Sequence, residues 1–507
     1  MLQGALSVDL LWVLVMNYLI LFLTVVHFVA LSGLALYGVH RLWMLYHWWQ
    51  YTKVADEVKT VSFAGVWPQV TVQLPLYNER FVAERLINAV AQLDWPSSCL
   101  QIQVVDDSSD ETCAVVDRAV ARWRERGINI VVQRRDNRNG YKAGALAAAL
   151  EHATGEFVAI FDADFVPDTD YLQRIIPYFS GADIAMVQAR WGFLNRTHSW
   201  LTKLQAILLG AHFAVEHQVR YRRGLFFNFN GTAGVWRRSA IAAAGGWQAD
   251  TVTEDLDLSY RAQMQGWRFI YVNDVVVPSE LPLTVNDFRG QQQRWAKGST
   301  QTARKILPVL LHADLPMRVK IEAGAHLLAN FGWLCAALAC LTLYPALLSR
   351  GNFSVMQVVL LDVPLFILAG VAILLYFAMY AAREYGWRSL LWLPVLPMLT
   401  LGLSPSLAWS VMCGTVQRGG VFARTAKYGV HGKQREKMRF SVNLSSVKAD
   451  HRLLLVNGIL VLYSCLPAIY VLQRHEWAAI FLVVLFPLGF LLVFFSDAVA
   501  LMHRTSE

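Results

Sequence analysis

FVAIFDADFVPD, residues 157–168, is an apolar run of five residues followed at once by two aspartates one residue apart. A short, continuous run rich in β-branched and aromatic side chains reads as a strand buried on both faces, the signature of a parallel sheet. In open α/β sheets the ligand crevice lies beyond the carboxyl ends of the strands, so Asp162 and Asp164 stand where such a crevice opens. Working outward, the pattern repeats in QVTVQL from Gln69, LQIQVV from Leu100, INIVVQ from Ile128, IAMVQ from Ile184 and FIYVNDVVV from Phe269. Helical stretches and turn residues separate these runs. Residues 60–312 are therefore expected to form an α/β domain with a Rossmann-like, mostly parallel sheet covered on both faces.

The flanks have another character. Of 507 residues, 55% are hydrophobic and only 16% charged, which excludes a disordered, collagen-like or disulfide-stapled chain. Residues 10–39 contain no Lys, Arg, Asp or Glu, enough apolar length for a bilayer core of about 30 Å. No basic segment precedes this run, while Arg41 and Lys53 follow it. Residues 1–45 thus read as a retained anchor with its N-terminus outside and the α/β domain in the cytosol. Apolar runs return at 323–347, 355–382, 390–413, 453–472 and 477–502. Residues 313–414 are expected to be transmembrane or interfacial helices, and 453–507 C-terminal transmembrane helices.

Between them, residues 415–452 carry nine Lys and Arg against two acids, nearly the whole net charge of +8. By the positive-inside rule this loop is cytosolic. Three full crossings starting from the cytosol would leave it outside, so one is expected not to cross. Residues 390–413 are the candidate, because Pro394, Pro397 and Pro405 would break a continuous helix into an interfacial or re-entrant segment. The six cysteines form no CxxC pair and read as small core hydrophobes. The lipid bilayer is an expected partner; nucleic acid is not.

Several polar clusters can carry chemistry. Asp106 and Asp107 follow a strand and can face a ligand, although Ser108, Ser109 and Asp110 make a plain turn an equal reading. Asp162 and Asp164, two apart on an extended segment, point the same way. They can share one hard divalent cation that bridges to phosphates. Glu254, Asp255 and Asp257 crowd together in TVTEDLD, and crowding raises carboxylate pKa toward that of a base for a hydroxyl; an acidic helix N-terminus is the alternative. In QQQRW, residues 291–295, Arg294 can neutralise a diphosphate and Trp295 offers a flat face to a sugar ring. A helix lying on a membrane would use the same residue types. GYKAGAL places Lys142 between Gly140 and Gly144 ahead of a helix, where phosphate could dock or a lysine could simply be solvated.

In this order, LPLYNE, QVVDDSSD, RDNRNGYKAGAL, FVAIFDADFVPD, FNGTAGVWR, AGGWQADTVTEDLDLSYRA, GWRFIYVNDV and QQQRW resemble the inverting family-2 glycosyltransferases that make polysaccharides. These include cellulose synthases, hyaluronan synthases and, most similar, the plant cellulose-synthase-like A and C proteins. The resemblance covers about residues 67–305 and implies a GT-A fold that uses Mg²⁺ or Mn²⁺. It further implies that Tyr77, Glu79 and Asp106 or Asp107 hold the donor nucleotide, with Lys142 near the base or diphosphate. Asp162 and Asp164 would bind the metal and diphosphate, and Asp255, beside Glu254, would be the general base. Gln291, Arg294 and Trp295 would hold the diphosphate and the acceptor's terminal sugar, and Phe229, Asn230, Gly231 and Thr232 would line the acceptor mouth.

The implied reaction is a single displacement with inversion, extending a β-linked glucan or mannan, by resemblance β-1,4, from UDP-glucose or GDP-mannose, with the growing polysaccharide as acceptor. Cellulose synthases add a gating loop of the form FxVTxK. Phe422, Thr425 and Lys427 match its spacing, with Arg424 where Val is usual. Arg435 and Arg439 have the RxxxR spacing of a cyclic-di-GMP module, but no DxSxxG follows, so no such control is expected. The implied location is a bacterial inner membrane, or a Golgi membrane in a eukaryote. Two rival readings are a single-transfer enzyme acting on a lipid or polyprenyl phosphate, and a transporter or scaffold with an inactive transferase domain.

Overall fold

A computed structural model describes residues 8–51, 67–350, 354–420, 424–430 and 451–505. They group into two compact units. One comprises the described parts of Met44–Leu328 and Met412–Arg439, the other those of Met1–Trp43, Ala329–Val411 and Phe440–Glu507.

The first unit is built on a seven-stranded sheet in the order β3-β2-β1-β4-β6-β5-β7. Its strands are β1 (Val70–Leu76), β2 (Leu100–Asp106), β3 (Ile130–Gln133), β4 (Phe157–Ile160), β5 (Ile184–Phe193), β6 (Gly234–Arg237) and β7 (Arg268–Ser279). Pairings β1/β2, β1/β4, β2/β3 and β5/β7 are parallel, while β6 runs antiparallel to β4 and β5. The expected α/β, mostly parallel sheet is therefore present, with one antiparallel strand added. That strand, GVWR, is four residues long and begins with glycine, so it offers no alternation to read. Each face carries its own apolar core, one including Leu86, Val90, Val116 and Val120, the other Leu146, Ile241, Leu258 and Ala262. Polar residues on the central strands are matched in register: Gln73 opposes Gln103 and donates to it at 2.9 Å, which satisfies one end of each buried amide.

The strand order sets the site. From β1 the chain winds outward through β2 and β3, then returns to place β4 on the other side of β1. Between β1 and β4 lies the topological switch point, where two diverging loops open a crevice. Glu79 follows β1 there, and Asp162 and Asp164 follow β4.

Two expected boundaries move. The helix Met317–Leu327 packs Ala323 and Leu327 against Ala303, Ile306 and Leu310 of the helix Val285–His312, and against Leu256 and Tyr260. The α/β unit therefore ends at Leu328 rather than 312, and the apolar helix expected from 323 begins at Phe331. The N-terminal helix Val8–Tyr51 has 44 residues, about 66 Å at 1.5 Å per residue and twice what a bilayer core needs. Its end, from Met44, belongs to the α/β unit.

Among the described residues, six helices are long and apolar enough to cross a membrane: Leu11–Tyr51, Phe331–Arg350, Val359–Tyr385, Val395–Val416, His451–Gln473 and Ala479–Met502. The chain is a membrane protein. The expectation that proline breaks 390–413 is overturned, because Val395–Val416 is a continuous helix of 22 residues with Pro405 inside it. Pro397 sits in the first turn, where no intrahelical donor is required. Pro405 leaves the carbonyl of Leu401 without its usual N–H, and Ser404 Oγ donates to that oxygen at 2.7 Å. Hydroxyl back-bonding of this kind is how membrane helices tolerate proline.

This helix is packed by backbone contact in its own unit. A Cβ on Gly402 would lie 2.2 Å from the carbonyl oxygen of Gly489, and one on Gly489 would lie 2.5 Å from that of Met398. Close approach of this kind needs residues without side chains. Gly402→Ala or Gly489→Ala should lower the melting temperature of the detergent-solubilised protein by roughly 3–8 °C. Gly324→Ala, which meets nothing within 4 Å, should not lower it.

Candidate active site

Two turns are tied together at the mouth of the crevice. After β1 the chain passes through Asn78 at φ 53°, whose N–H donates to Ser108 Oγ at 2.8 Å and whose Oδ1 accepts from Ser109 N at 2.9 Å. This fixes the loops after β1 and β2 and leaves Glu79 buried between them and β4. Over Tyr77, the guanidinium carbon of Arg138 lies 3.2 Å from the ring centroid.

The adjacent aspartates after β2 separate, as neighbours on an extended chain must. Asp106 is fully buried, accepting from Arg134 Nε at 2.9 Å through Oδ2 and from Ser108 N at 3.1 Å through Oδ1. Asp107 is gripped by Arg135 through Nε at 3.0 Å and Nη2 at 2.5 Å.

Beyond β4, Asp162 N donates to Thr232 Oγ1 at 2.9 Å, and its Oδ1 lies 2.6 Å from Lys142 Nζ. Lys142 opens the helix Tyr141–Glu151, entered through Gly140 at φ 73°, and also donates to the carbonyl of Gly231 at 2.9 Å. Gly231 itself has φ +80°, and a Cβ there would stand 2.8 Å from Asp255 Oδ2 and 3.5 Å from Lys142 Nζ. Only glycine lets this loop pass so close to the carboxylate. Phe229 and Thr232, its neighbours, are fully buried.

Glu254 and Asp255 form the first turn of the helix Glu254–Met264. Burial, then the charge of Asp255, pushes Glu254 up to about 7. Burial likewise pushes Asp255 up to about 6, against the opposing pull of Lys142. Asp257, grouped with them in the sequence, belongs elsewhere: it is fully buried and pairs with Arg261 at 2.8 Å and Lys305 at 2.9 Å.

The helix Val285–His312 delivers Gln291, Arg294 and Trp295. Burial draws Arg294 below its ordinary pKa while Asp162, Glu254, Asp255 and Asp164 hold its charge in place. Its Nη2 donates to Thr425 Oγ1 at 3.4 Å. Gln291 Oε1 is buried without a hydrogen-bond partner among the described residues, and the Trp295 ring centroid is 6.5 Å from that of Trp191.

The segment 424–430 reaches the same crevice. Lys427 Nζ lies 2.9 Å from Glu79 Oε1 and 2.6 Å from Asp164 Oδ1, and these carboxylates outweigh burial to raise its pKa. Phe422, Arg435 and Arg439 lie outside the described residues.

Glu280 went unread in the sequence. It directly follows β7, and its buried carboxylate accepts from three successive backbone N–H groups, Tyr428 at 2.8 Å, Gly429 at 2.9 Å and Val430 at 3.2 Å. Asp287 accepts from the Tyr428 hydroxyl at 3.1 Å. The signal for Glu280 was the one used for Asp162, an acid at the end of a buried strand. Its partners, about 150 residues away, could not be read locally.

Among the described residues no three His, Cys, Asp or Glu side chains gather as a ready metal cage. Asp162 and Asp164 nonetheless offer hard carboxylate oxygens at one strand end, a donor set that suits Mg²⁺ or Mn²⁺ when substrate phosphates complete the shell.

Residues 68–298 match the sequence profile described as "Glycosyltransferase like family 2". The chain is 46% identical over 272 residues to glucomannan 4-beta-mannosyltransferase 1 of Oryza sativa subsp. japonica, covering 53% of this chain and 52% of that protein. It is 48% identical over 245 residues to probable glucomannan 4-beta-mannosyltransferase 1 of Arabidopsis thaliana, covering 47% and 44%. The match thus spans about half the length of these relatives. In fold, the chain is similar to a solved mannosyltransferase from Pyrobaculum calidifontis in complex with GDP-Man and Mn²⁺, with a TM-score of 0.50 and 21% identity over 77% of this chain and 99% of the other.

The double ion pair of Lys427 makes a stability prediction. Without it, Asp164 loses its partner and Glu79, whose carboxyl burial already raises, loses the counter-charge that opposes that rise, so the Glu79 pKa climbs further above its unfolded value. The resulting penalty is present above that raised value and fades as pH falls through it. Lys427→Met should therefore melt below the wild type at pH 8, with the gap narrowing at pH 5.

Proposed function

We propose that residues 68–298, which match the family-2 glycosyltransferase profile and the plant mannosyltransferases, form a glycosyltransferase domain of the cellulose-synthase-like kind, and that the chain transfers mannosyl units from GDP-mannose to a growing β-1,4-linked glycan. The observation that carries the reading is the position of Asp255. This carboxylate is raised to about 6 and stands at the backbone of Gly231, among Lys142, Arg294 and the two aspartates after β4. The names of the plant relatives support mannose over glucose and the β-1,4 linkage.

In the proposed reaction the acceptor hydroxyl oxygen attacks the anomeric carbon of the donor. The bond from that carbon to the diphosphate oxygen breaks in line, and the hydroxyl proton passes to Asp255. A base with a pKa near neutrality takes that proton without being protonated at rest. Glu254, adjacent and raised further, titrates with Asp255 as a pair. Lys142 and Arg294 bring positive charge toward the departing diphosphate; Lys142 is held by its ion pair with Asp162 and Arg294 by its bond to Thr425, so they reorganise little as charge develops. Tyr77, Glu79 and Asp107 are assigned to the donor nucleotide. Asp106, fully buried where Asp107 is only partly so, is assigned to holding that loop. Trp295 and Phe229–Thr232 are assigned to the acceptor, and Thr425 and Lys427 to a loop over the donor. Asp162 and Asp164 would hold Mg²⁺ or Mn²⁺, which when bound supplies positive charge to the diphosphate.

We place the catalytic unit in the cytosol and the chain in a bacterial inner membrane, with the product passing outward through its own helices. With the basic segment 415–452 also assigned to the cytosol by its charge, the helices between it and the catalytic unit are assigned an even number of crossings. Val395–Val416, whose last turn is part of that unit, remains our candidate for the one that does not cross.

The test is purified protein in nanodiscs with Mg²⁺ or Mn²⁺, given labelled GDP-mannose or UDP-glucose, followed by product sizing. Polymer from GDP-mannose is expected; polymer only from UDP-glucose would overturn the donor, and a single-sugar lipid product the polymerase. Asp255→Asn should reduce turnover by roughly 10²–10⁴-fold. Because the base works only when deprotonated, wild-type turnover should fall as pH drops through about 7 to 6, whereas an unperturbed carboxylate would retain activity to about pH 4.

A further inference from the structure

The helix that starts at Trp200 contains one π-helical turn, His212–His217, before it resumes as Gln218–Arg222. A π turn adds a residue, changes the phase of the side chains that follow it, and occurs most often at functional sites. At its end His217 is fully buried. Phe213, Phe227 and Tyr271 surround the imidazole at centroid distances of 6.0, 5.6 and 5.5 Å, so the ring is locked. Its Nε2 lies 2.8 Å from Oδ1 of Asn230. Burial holds His217 neutral, and since an amide oxygen only accepts, the single ring proton is on Nε2.

Asn230 is held from several sides. Asn228 Nδ2 donates to the same Oδ1 at 3.2 Å, Asn230 N donates to Gln188 Oε1 at 3.0 Å, and Phe229 N donates to Ser259 Oγ at 2.9 Å. With Oδ1 committed to two donors, the free end of the amide is Nδ2. Asn230 is only 9% exposed, and Nδ2 has no hydrogen-bond partner among the described residues. A buried donor left unmade is costly, so such groups are normally satisfied. The next residue, Gly231, is the one whose backbone abuts Asp255 Oδ2.

We propose that His217 is a positioning residue for acceptor recognition: through its bond to Oδ1 it fixes Asn230 so that Nδ2 donates to an oxygen of the acceptor's terminal sugar. This inference rests on the proposed transferase function. The histidine touches no substrate; it sets the amide that does.

The full-length protein in nanodiscs tests this with GDP-mannose and a β-1,4-mannooligosaccharide, each titrated at saturation of the other, alongside hydrolysis of GDP-mannose without acceptor. His217→Leu keeps an apolar side chain there but removes the donor, and His217→Gln restores an N–H near the place of Nε2. His217→Leu should raise the acceptor KM about tenfold, leaving the donor KM and acceptor-free hydrolysis unchanged, and His217→Gln should recover most of the loss. Asn230→Ala should raise the acceptor KM likewise, and adding His217→Leu to it should cost nothing further, because both changes remove one interaction. Equal losses on donor and acceptor, or additive losses in the double variant, would overturn the proposal. Should His217→Leu lose its melting transition, Asn230→Ala decides by the acceptor KM and His217→Gln by the same KM split. A wild type that hydrolyses GDP-mannose but elongates no glycan would overturn the function itself, and this inference with it.

Discussion

The structure depends on a balance of enclosed charge at the carboxyl ends of β1 and β4. Five carboxylates, Glu79, Asp162, Asp164, Glu254 and Asp255, share a crevice with three cations, Lys142, Arg294 and Lys427. Burying any one of these alone would cost several kcal/mol, so they persist only as a set. The set is assembled from six places in the chain: two strand ends, two helix starts, one long helix and one distant loop segment feed it. Burial first, and then the neighbouring acids, hold Glu254 and Asp255 well above ordinary carboxylates, and the surplus of acid over base suits the site to a divalent cation arriving with an anionic diphosphate.

Much of this was legible because the relevant signals were local. β4 announced itself as a continuous apolar run, and the acids after it were adjacent in sequence. The helix Glu254–Met264 likewise placed its acids in its first turn, as the macrodipole favours. Where neighbouring acids had to be told apart, their partners decided. Asp257 looks like its neighbours, but Arg261, one helical turn on, and Lys305 of another helix pair with it, and Asp106 and Asp107 look alike until Arg134 and Arg135 take one each. Glu280 had no local mark beyond its strand-end position, and β6 was too short for a periodic signal.

The proline argument shows the same limit. Pro405 is a helix breaker by its own chemistry, but the carbonyl it frees is satisfied by the hydroxyl of Ser404, one residue earlier. The neighbouring residue, rather than the proline alone, decides the outcome. In the other unit, the π turn at His212–His217 carries no sequence signature, yet it brings a buried imidazole to the loop that abuts Asp255.

The central claim is that Asp255 takes the proton of the acceptor hydroxyl in a single in-line displacement. Inversion at the anomeric carbon is its direct chemical consequence. The measurement that tests it is the anomeric configuration of the newly formed bond, read by NMR on product made from α-linked GDP-mannose. The account predicts β-linked mannosyl units throughout. An α-linked product would mean retention at the anomeric carbon, which a single in-line displacement cannot give, and would contradict it.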